Sequence, residues 1–214
     1  MNEKELQERF FDLWQRCAGA DAQPEPVWQT LQQRYQEPHR FYHTLAHLSH
    51  CLGELDAGNG QIEEADATEM AIWFHDIIYH YGAKDNEDMS AATFREFAEP
   101  HMAADFIDRV CVLIDATKHT GKAPDTGAAF MVDIDLSGFG LPWEGYLADS
   151  DALRLEAPAI SDEKYYQGKL RFLGGLQQWP CLFQTEYFRD RLESIAQTNI
   201  SRYSADLRAQ GFGD

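Results

Sequence analysis

The sequence is poor in cysteine, and none of its cysteines lie close together. The four are Cys17, Cys51, Cys111 and Cys181. Because they form no close pair, they match neither a zinc knuckle nor a redox motif, and we expect small buried thiols in a reducing compartment. Long apolar runs are missing as well, both in the first twenty residues and elsewhere. We therefore predict a cytoplasmic protein without a signal peptide or a membrane span.

Basic residues are scarce. The chain has 18 lysines and arginines against 36 aspartates and glutamates, a net charge of −18. This balance repels the phosphate backbone of nucleic acid, and no cluster of basic residues marks a local groove, so no nucleic acid polymer is expected as a partner. Solubility alone would explain the acidity. A small anionic substrate stays compatible with it, because a bound metal reverses the local potential.

Strand-like alternation is also nearly absent, with one possible short strand at 130–134. Elsewhere apolar residues recur every three or four positions, which is typical of amphipathic helices. The predicted helices cover approximately 6–17, 24–37, 42–55, 63–79, 86–98, 103–118, 142–155, 162–177 and 186–209. No linker is long enough to separate domains. The sequence predicts one all-α domain, a helical bundle over residues 1–214.

The dipeptide His75-Asp76 lies inside the apolar run 71–79. Two adjacent ionisable side chains are costly to bury unless something compensates them, and a divalent cation does so. Consecutive helical residues point about 100° apart, so both side chains could reach a cation lodged between this helix and its neighbour. His47 lies on the preceding predicted helix, and Asp135 is expected in a turn from which its carboxylate can reach inward.

His43 and His47 are four positions apart, and His50 follows three later. On a helix all three would share roughly one face, as in other helical metal motifs. By itself this spacing is weak, because a histidine on an amphipathic helix is usually a surface residue or a hydrogen-bonded core residue.

The ordered set of motifs resembles a bacterial subfamily of the HD-domain superfamily of predicted metal-dependent phosphohydrolases. The matching residues are Arg40, Tyr42-His43, His47-Leu48, His75-Asp76, Asn86-Glu87, Ser90-Ala91, Asp133 and Asp135-Leu136-Ser137. Similarity continues in the tail at Phe172-Leu173, Leu182-Phe183, Thr185, Glu193, Ala196 and Asn199, so it runs from about residue 35 to 203. The resemblance implies an all-α HD bundle and four metal ligands: His47, His75, Asp76 and Asp135.

Other residues have two readings each. His43 is either a further ligand or a donor on the pocket wall. His119 lies where HD proteins often place a histidine facing the substrate, or it is a solvated residue at a helix end. Glu87 would orient the attacking water or accept its proton, or would cap the next helix. Lys84 and Arg40 are candidates to bind phosphate, and Lys84 is alternatively a solvated lysine.

The resemblance implies hydrolysis of a small phosphorylated metabolite, such as a nucleotide, by metal-activated water. The cation would be Mn²⁺, Mg²⁺, Co²⁺, Fe²⁺ or Ni²⁺. Two other classes stay open: a di-iron oxygenase of the HD type, which needs further histidine ligands from the set His43, His50, His80 and His119, and a non-catalytic module that binds metal or nucleotide.

Overall fold

The computed structural model describes residues 1–58 and 60–213, and the described chain is all-helical, without a strand. Its α-helices are α1 (Glu3–Ala18), α2 (Glu25–Tyr35), α3 (Leu45–Ala57), α4 (Ala65–Phe74), α5 (Asn86–Ala98), α6 (Ala104–Ala116), α7 (Thr126–Leu136), α8 (Trp143–Leu155), α9 (Asp162–Leu176) and α10 (Glu186–Ala209). A short 3-10 helix, Ser137–Gly140, continues α7. The predicted all-α class is confirmed.

Several helices begin where a short polar side chain accepts a hydrogen bond from the first turn. These caps are Asn2, Thr44, Asp125, Ser161 and Thr185. Each satisfies one of the backbone N–H groups that have no partner inside the helix. Most predicted helix boundaries fall within a few residues of the observed ones.

Three predicted placements around the His-Asp dipeptide were wrong. Helix α4 ends at Phe74, so His75 and Asp76 lie at and just beyond its end and not within a helix that runs to residue 79. Thr44 has an extended backbone and caps α3, which therefore starts after His43 and not at residue 42. Asp135 lies in the last turn of α7 and not in a turn between elements.

Helix α7 also replaces the short strand expected at 130–134. Most of its residues are buried, including Phe130, Met131 and Val132. A helix that is buried on most sides has no apolar stripe against a polar one, so its sequence lacks the three-four pattern. The apolar run at this position was therefore compatible with either a strand or a helix.

Helix α4 is the centre of the bundle. All its residues from Ala67 to Phe74 are buried, and it packs against α1, α3, α5, α6 and α7. Phe10 of α1 lies edge-on to Trp73, with ring centroids 5.4 Å apart, and Trp28 of α2 meets the same indole at 6.1 Å. This aromatic packing fixes the end of α4, from which His75 and Asp76 project.

The 3-10 helix is attached to α10. The Asn199 side-chain amide donates to the carbonyls of Phe139 and Leu141, at 2.9 and 2.8 Å. Asp133 accepts hydrogen bonds from the backbone N–H groups of Gln184 and Thr185, both at 2.7 Å, just before α10. These contacts hold the chain on either side of Asp135. None of the helices in the described ranges is both long and apolar enough to cross a bilayer.

Candidate metal centre

Four side chains that the sequence predicted as ligands meet at one point. His47 comes from α3, His75 and Asp76 from the end of α4, and Asp135 from the last turn of α7. One potential ligand atom from each lies within 4.8 Å of the others. The Nε2 atoms of His47 and His75 are 3.2 Å apart, and Asp135 Oδ1 is 3.3 Å from His47 Nε2. This quartet could hold a metal ion.

The hydrogen bonds of His75 show that its Nε2 atom faces the quartet. Its Nδ1 lies 2.8 Å from the carbonyl oxygen of Ile72, which can only accept, so Nδ1 carries the proton. In the neutral ring, Nε2 is then an acceptor, although it lies 2.9 Å from Asp76 Oδ2. Two acceptors at that distance need a positive charge between them. A divalent cation supplies that charge, and two imidazoles with two carboxylates are a suitable donor set.

The pKa shifts of His75 and Asp135 also indicate that a positive charge is favoured at this position. Burial alone would lower the pKa of His75, but the carboxylates of Asp76 and Asp135 raise it well above its ordinary value. Burial would raise the pKa of Asp135, yet hydrogen bonds from His119, His47 and His75 hold it well below the usual range. The group favours a bound positive charge, whether a proton or a metal ion.

The quartet has a closed side and an open side. The side chains of His47 and His75 are 2% and 1% exposed, whereas those of Asp76 and Asp135 are 12% and 16% exposed. His119, at 20%, stands on the open side. A water molecule or a substrate atom would therefore approach from the carboxylate side.

His119 is held against Asp135 in a strained conformation. Its Nε2 lies 2.9 Å from Asp135 Oδ2. Its φ is +51°, and no other residue except glycine has a positive φ in the described chain. Its buried Nδ1 has no hydrogen-bond partner there. Strain of this kind persists where the surroundings enforce it, often at functional sites. The contact with Asp135 and the limited exposure argue against a solvated helix end, and the role of His119 beside a substrate stays a prediction.

Glu156, which the sequence did not single out, organises the other edge of the site. Its side chain is completely buried after α8. One oxygen accepts from three consecutive backbone N–H groups, those of Phe41, Tyr42 and His43, at 2.8 to 2.9 Å. The other lies 2.7 Å from His43 Nδ1. Burial would raise the pKa of Glu156, but the bonds from His43 and the backbone lower it to about 2. One glutamate in an acidic chain carries no sequence signal for this role.

Glu156 fixes the orientation of His43. An ionised carboxylate only accepts, so the proton of His43 lies on Nδ1, and Nε2 presents its lone pair. That Nε2 is 3.8 Å from Asp76 Oδ2, and the ring stacks on Tyr79 with centroids 3.8 Å apart. His43 is thus outside the quartet and borders it on the open side. His43 is not one of the four potential ligands that lie together, and its predicted role as a donor on the pocket wall stays a prediction.

Arg40 occupies a different place from the predicted one. Its side chain is buried and donates to the carbonyls of Asp76 and Ile77, at 2.6 and 3.0 Å. It also donates to Glu37 at 3.0 Å. Because these N–H groups are engaged, the position argues against the predicted phosphate contact. Arg40 instead fixes the backbone that carries Asp76.

Glu87 and Lys84 lie on the segment that follows the quartet. Glu87 is half-buried in the first turn of α5. Burial raises its pKa, and so does the charge of Asp76, whereas Lys118 and His119 lower it. The N-cap residue of α5, Asp85, makes no capping hydrogen bond with its side chain. Lys84 is exposed in the preceding loop and forms no ion pair within the described residues.

The remaining histidines do not extend the quartet. His50 Nε2 lies 2.7 Å from the Ser137 hydroxyl. His80 stacks on His39, with centroids 6.0 Å apart. His50 and His80 thus make contacts of their own. His43 and His119, the other two histidines of the di-iron alternative, border the quartet, so that alternative stays a prediction.

No family model, curated protein or solved structure matches this chain. The resemblance to HD-domain proteins thus stays a prediction. A cleft of about 770 Å³ lies away from the quartet, between the 121–126 loop and the segment 179–189, and none of the four ligands lines it.

Proposed function

We propose that this protein is a metal-dependent phosphohydrolase that acts on a small phosphorylated metabolite, with nucleotides in the candidate class. One observation carries the proposal. Two buried histidines and two carboxylates form a ligand quartet whose open side is bordered by two more histidines, His43 and His119. A purely structural metal site needs no such proton-carrying groups beside it.

His47, His75, Asp76 and Asp135 would hold the cation. When bound, a divalent ion lowers the pKa of coordinated water and neutralises charge on phosphoryl oxygens. Four ligands suit Mn²⁺, Fe²⁺, Co²⁺, Ni²⁺ or Mg²⁺, because these ions accept more than four and leave positions for water and substrate.

His43 can carry the proton. Its Nε2 lone pair faces the open side, where it can accept a proton from an attacking water. Glu156 keeps the other ring proton on Nδ1, 2.7 Å away, and stabilises the imidazolium that results. His119, with an unpaired Nδ1, and Glu87, beside Asp76, are the second and third candidates.

The surroundings favour a small substrate. The net charge of −18 opposes a long phosphate backbone at every approach except near the metal. The side chains on the open side are at most 20% exposed. A single phosphate group with a compact remainder fits these conditions, with exposed Lys84 as the nearest candidate cation along the chain.

Phosphate release tests the proposal. The Mn²⁺-loaded protein is assayed against a panel of phosphate monoesters and diesters, including mononucleotides, and compared with Asp135→Asn. We expect turnover of at least one compound, its loss with a chelator, and a fall of about 100-fold or more in the variant. Asp190→Asn, an exposed carboxylate on α10, is the matched control and should retain activity. Turnover that survives in Asp135→Asn would overturn the assignment.

A second candidate is a metal-binding module without turnover. It is favoured by the limited exposure of the quartet and by the position of the 770 Å³ cleft, which none of the ligands lines. The same assay separates the two functions, because a module binds Mn²⁺ through the quartet and releases phosphate from no compound in the panel.

A further inference from the structure

The 770 Å³ cleft between the 121–126 loop and the segment 179–189 has the properties of a ligand site of its own. Its apolar lining consists of Ala123, Pro124, Ala129, Trp179, Pro180 and Phe183. A concave space of this size with a largely apolar lining is typical of sites that bind small organic molecules. The proposed phosphohydrolase function does not use this cleft.

Arg189 lines the cleft and has one free edge of its guanidinium group. The side chain is half-buried, and its Nη1 donates to the carbonyl oxygen of Gln184 at 2.8 Å. Within the described residues, its Nε and Nη2 make no hydrogen bond and the group forms no ion pair, although acidic residues outnumber basic ones by 36 to 18. This edge can bind a planar anion such as a carboxylate through two parallel hydrogen bonds.

The charges around the cleft favour an anion that carries a single charge. Four charged residues line it: Lys122, Asp125, Glu186 and Arg189. Asp125 is already neutralised by Arg109, which donates to both of its oxygens at 2.8 and 2.9 Å. Lys122 and Glu186 are exposed and form no ion pair in the part of the chain that the structure describes. Because Glu186 balances one of the two remaining cations, one positive charge is left over.

One wall of the cleft is connected to His119. The side chain of Gln184 reaches across to the loop, where its Oε1 accepts from the N–H of Ala123 at 2.8 Å and its Nε2 donates to the carbonyl of Gly121 at 3.3 Å. Gly121 follows His119 by two residues. The spacing of the two walls therefore bears on the loop that carries His119.

The other wall is connected to Asp135. The N–H of Gln184 donates to Asp133 Oδ1, and the N–H and hydroxyl of Thr185 donate to Asp133 Oδ2, all at 2.7 Å. Asp133 precedes Asp135 by two residues in α7. His119 and Asp135 contact each other at 2.9 Å, so both walls lead to the same pair of groups at the metal centre.

We propose that this cleft binds a small aromatic carboxylate, and that its binding changes the metal affinity of the quartet. The carboxylate would bind the free edge of Arg189, and the aromatic ring would pack on Trp179 and Pro180. Gln184 would transmit the change in wall spacing. This inference goes beyond the proposed function and does not depend on it, because it concerns a regulator and not turnover.

Calorimetry tests the site with 2-naphthoate and its neutral analogue 2-naphthamide on the metal-free protein. We expect 2-naphthoate to bind about tenfold more tightly, the effect of a hydrogen bond to a charged group. Arg189→Met should abolish that preference. Trp179→Leu should weaken the binding of both compounds. Arg202→Met is the matched control, because Arg202 is exposed on the same helix and does not line the cleft.

Mn²⁺ titrations with and without saturating 2-naphthoate test the coupling. In the wild-type protein we expect the Mn²⁺ affinity to change by about fivefold or more, and the affinity for 2-naphthoate to change by the same factor when Mn²⁺ is bound. In Arg189→Met, the compound should leave the Mn²⁺ affinity unchanged. A change that persists in this variant would indicate that the carboxylate binds the metal directly, and would overturn the coupling through the cleft.

Thermal unfolding checks each variant. If Arg189→Met does not fold, Arg189→Lys keeps the charge but loses the planar fork, and it should lose most of the preference. No detectable binding of 2-naphthoate, equal binding of the two compounds, or tighter binding of doubly charged 2-naphthylphosphonate would overturn the carboxylate site. Binding without any change in Mn²⁺ affinity would overturn the coupling. All of these results leave the phosphohydrolase proposal standing, because phosphate release tests it separately.

Discussion

At the scale of single residues, His75 and Asp76 are the two most important members of the proposed metal centre. Both are buried, and His75 Nε2 lies 2.9 Å from Asp76 Oδ2. A positive charge between the two atoms is needed to make this distance favourable. The pairing explains why two ionisable residues interrupt an apolar segment at the centre of the bundle. A metal ion bound at this position would make the stability of the protein depend on it.

Asp76→Ala should therefore lose only the metal-dependent part of stability. A ligand that binds the folded state alone stabilises it by about 2.7 kcal/mol at 100 times its dissociation constant. We expect Mn²⁺ at that excess to stabilise the wild-type protein by this amount and to leave Asp76→Ala almost unaffected. Urea unfolding with and without Mn²⁺ measures the difference. Equal losses in both conditions would make Asp76 a structural residue.

Glu156 should make the stability of the folded protein depend on pH. The pKa of its carboxyl is about 2 in the folded chain, below its ordinary value of 4.5. A depressed pKa means that the stabilisation is complete above about pH 4.5 and is lost as the pH falls toward 2. The contribution is on the order of 3 kcal/mol.

In Glu156→Gln, the free energy of unfolding should fall less steeply with acid over that pH range than it does in the wild-type protein. Unfolding free energies between pH 5 and 2 measure the effect, with exposed Glu186→Gln as the control. A variant that loses stability with acid as steeply as the wild-type protein would contradict the role of Glu156.

The quartet, Glu156 and Arg40 show how much of the site can be predicted from the sequence. The quartet was predictable because its members combine unusual placement in an apolar segment with a recognisable order along the chain. Glu156 was not, because its importance arises from a contact with residues 41–43, more than a hundred positions earlier. Arg40 was misassigned for the same reason: its partners, the carbonyls of Asp76 and Ile77, are defined only by the fold.

At the scale of elements, the end of α4 decides the geometry of the site. The apolar pattern continues to residue 79, so it could not show that the helix stops at Phe74. What holds the following turn is tertiary: Arg40 binds its carbonyls, and the Ser90 hydroxyl accepts from the N–H of Ile78 at 3.2 Å. Among the helices with a capping side chain, the starts of α9 and α10 agree with the prediction, whereas the start of α3 was predicted three residues early and α7 was not predicted as a helix.

Arg40→Met should loosen that turn. The side chain keeps much of its length but loses the hydrogen bonds that orient the backbone of Asp76. We expect Mn²⁺ affinity to fall by 10-fold or more, the usual effect of removing a residue that supports a metal ligand (about 10–100-fold). Calorimetric titration measures it. Arg34→Met is the control, because Arg34 pairs with the same Glu37 at an exposed position. Equal affinity in Arg40→Met and wild type would contradict the supporting role.

At the scale of the whole molecule, the core and the metal centre contribute separately to stability. Phe10 is fully buried and lies against Trp14, Trp28 and Trp73. Phe10→Ala should cost about 3–5 kcal/mol through lost burial and a cavity. Because Phe10 touches no ligand, the loss should be the same with and without Mn²⁺. A loss that changes with the metal would show that the core and the centre are coupled.

Diffraction from crystals soaked in Mn²⁺, recorded on both sides of the manganese absorption edge, tests the central claim most directly. We expect one strong anomalous peak, from a Mn²⁺ ion bonded to Nε2 of His47, Nε2 of His75 and one carboxylate oxygen each of Asp76 and Asp135. Bond lengths should be about 2.0–2.6 Å. No peak between these four side chains at saturating Mn²⁺, or a peak held by other residues, would contradict it.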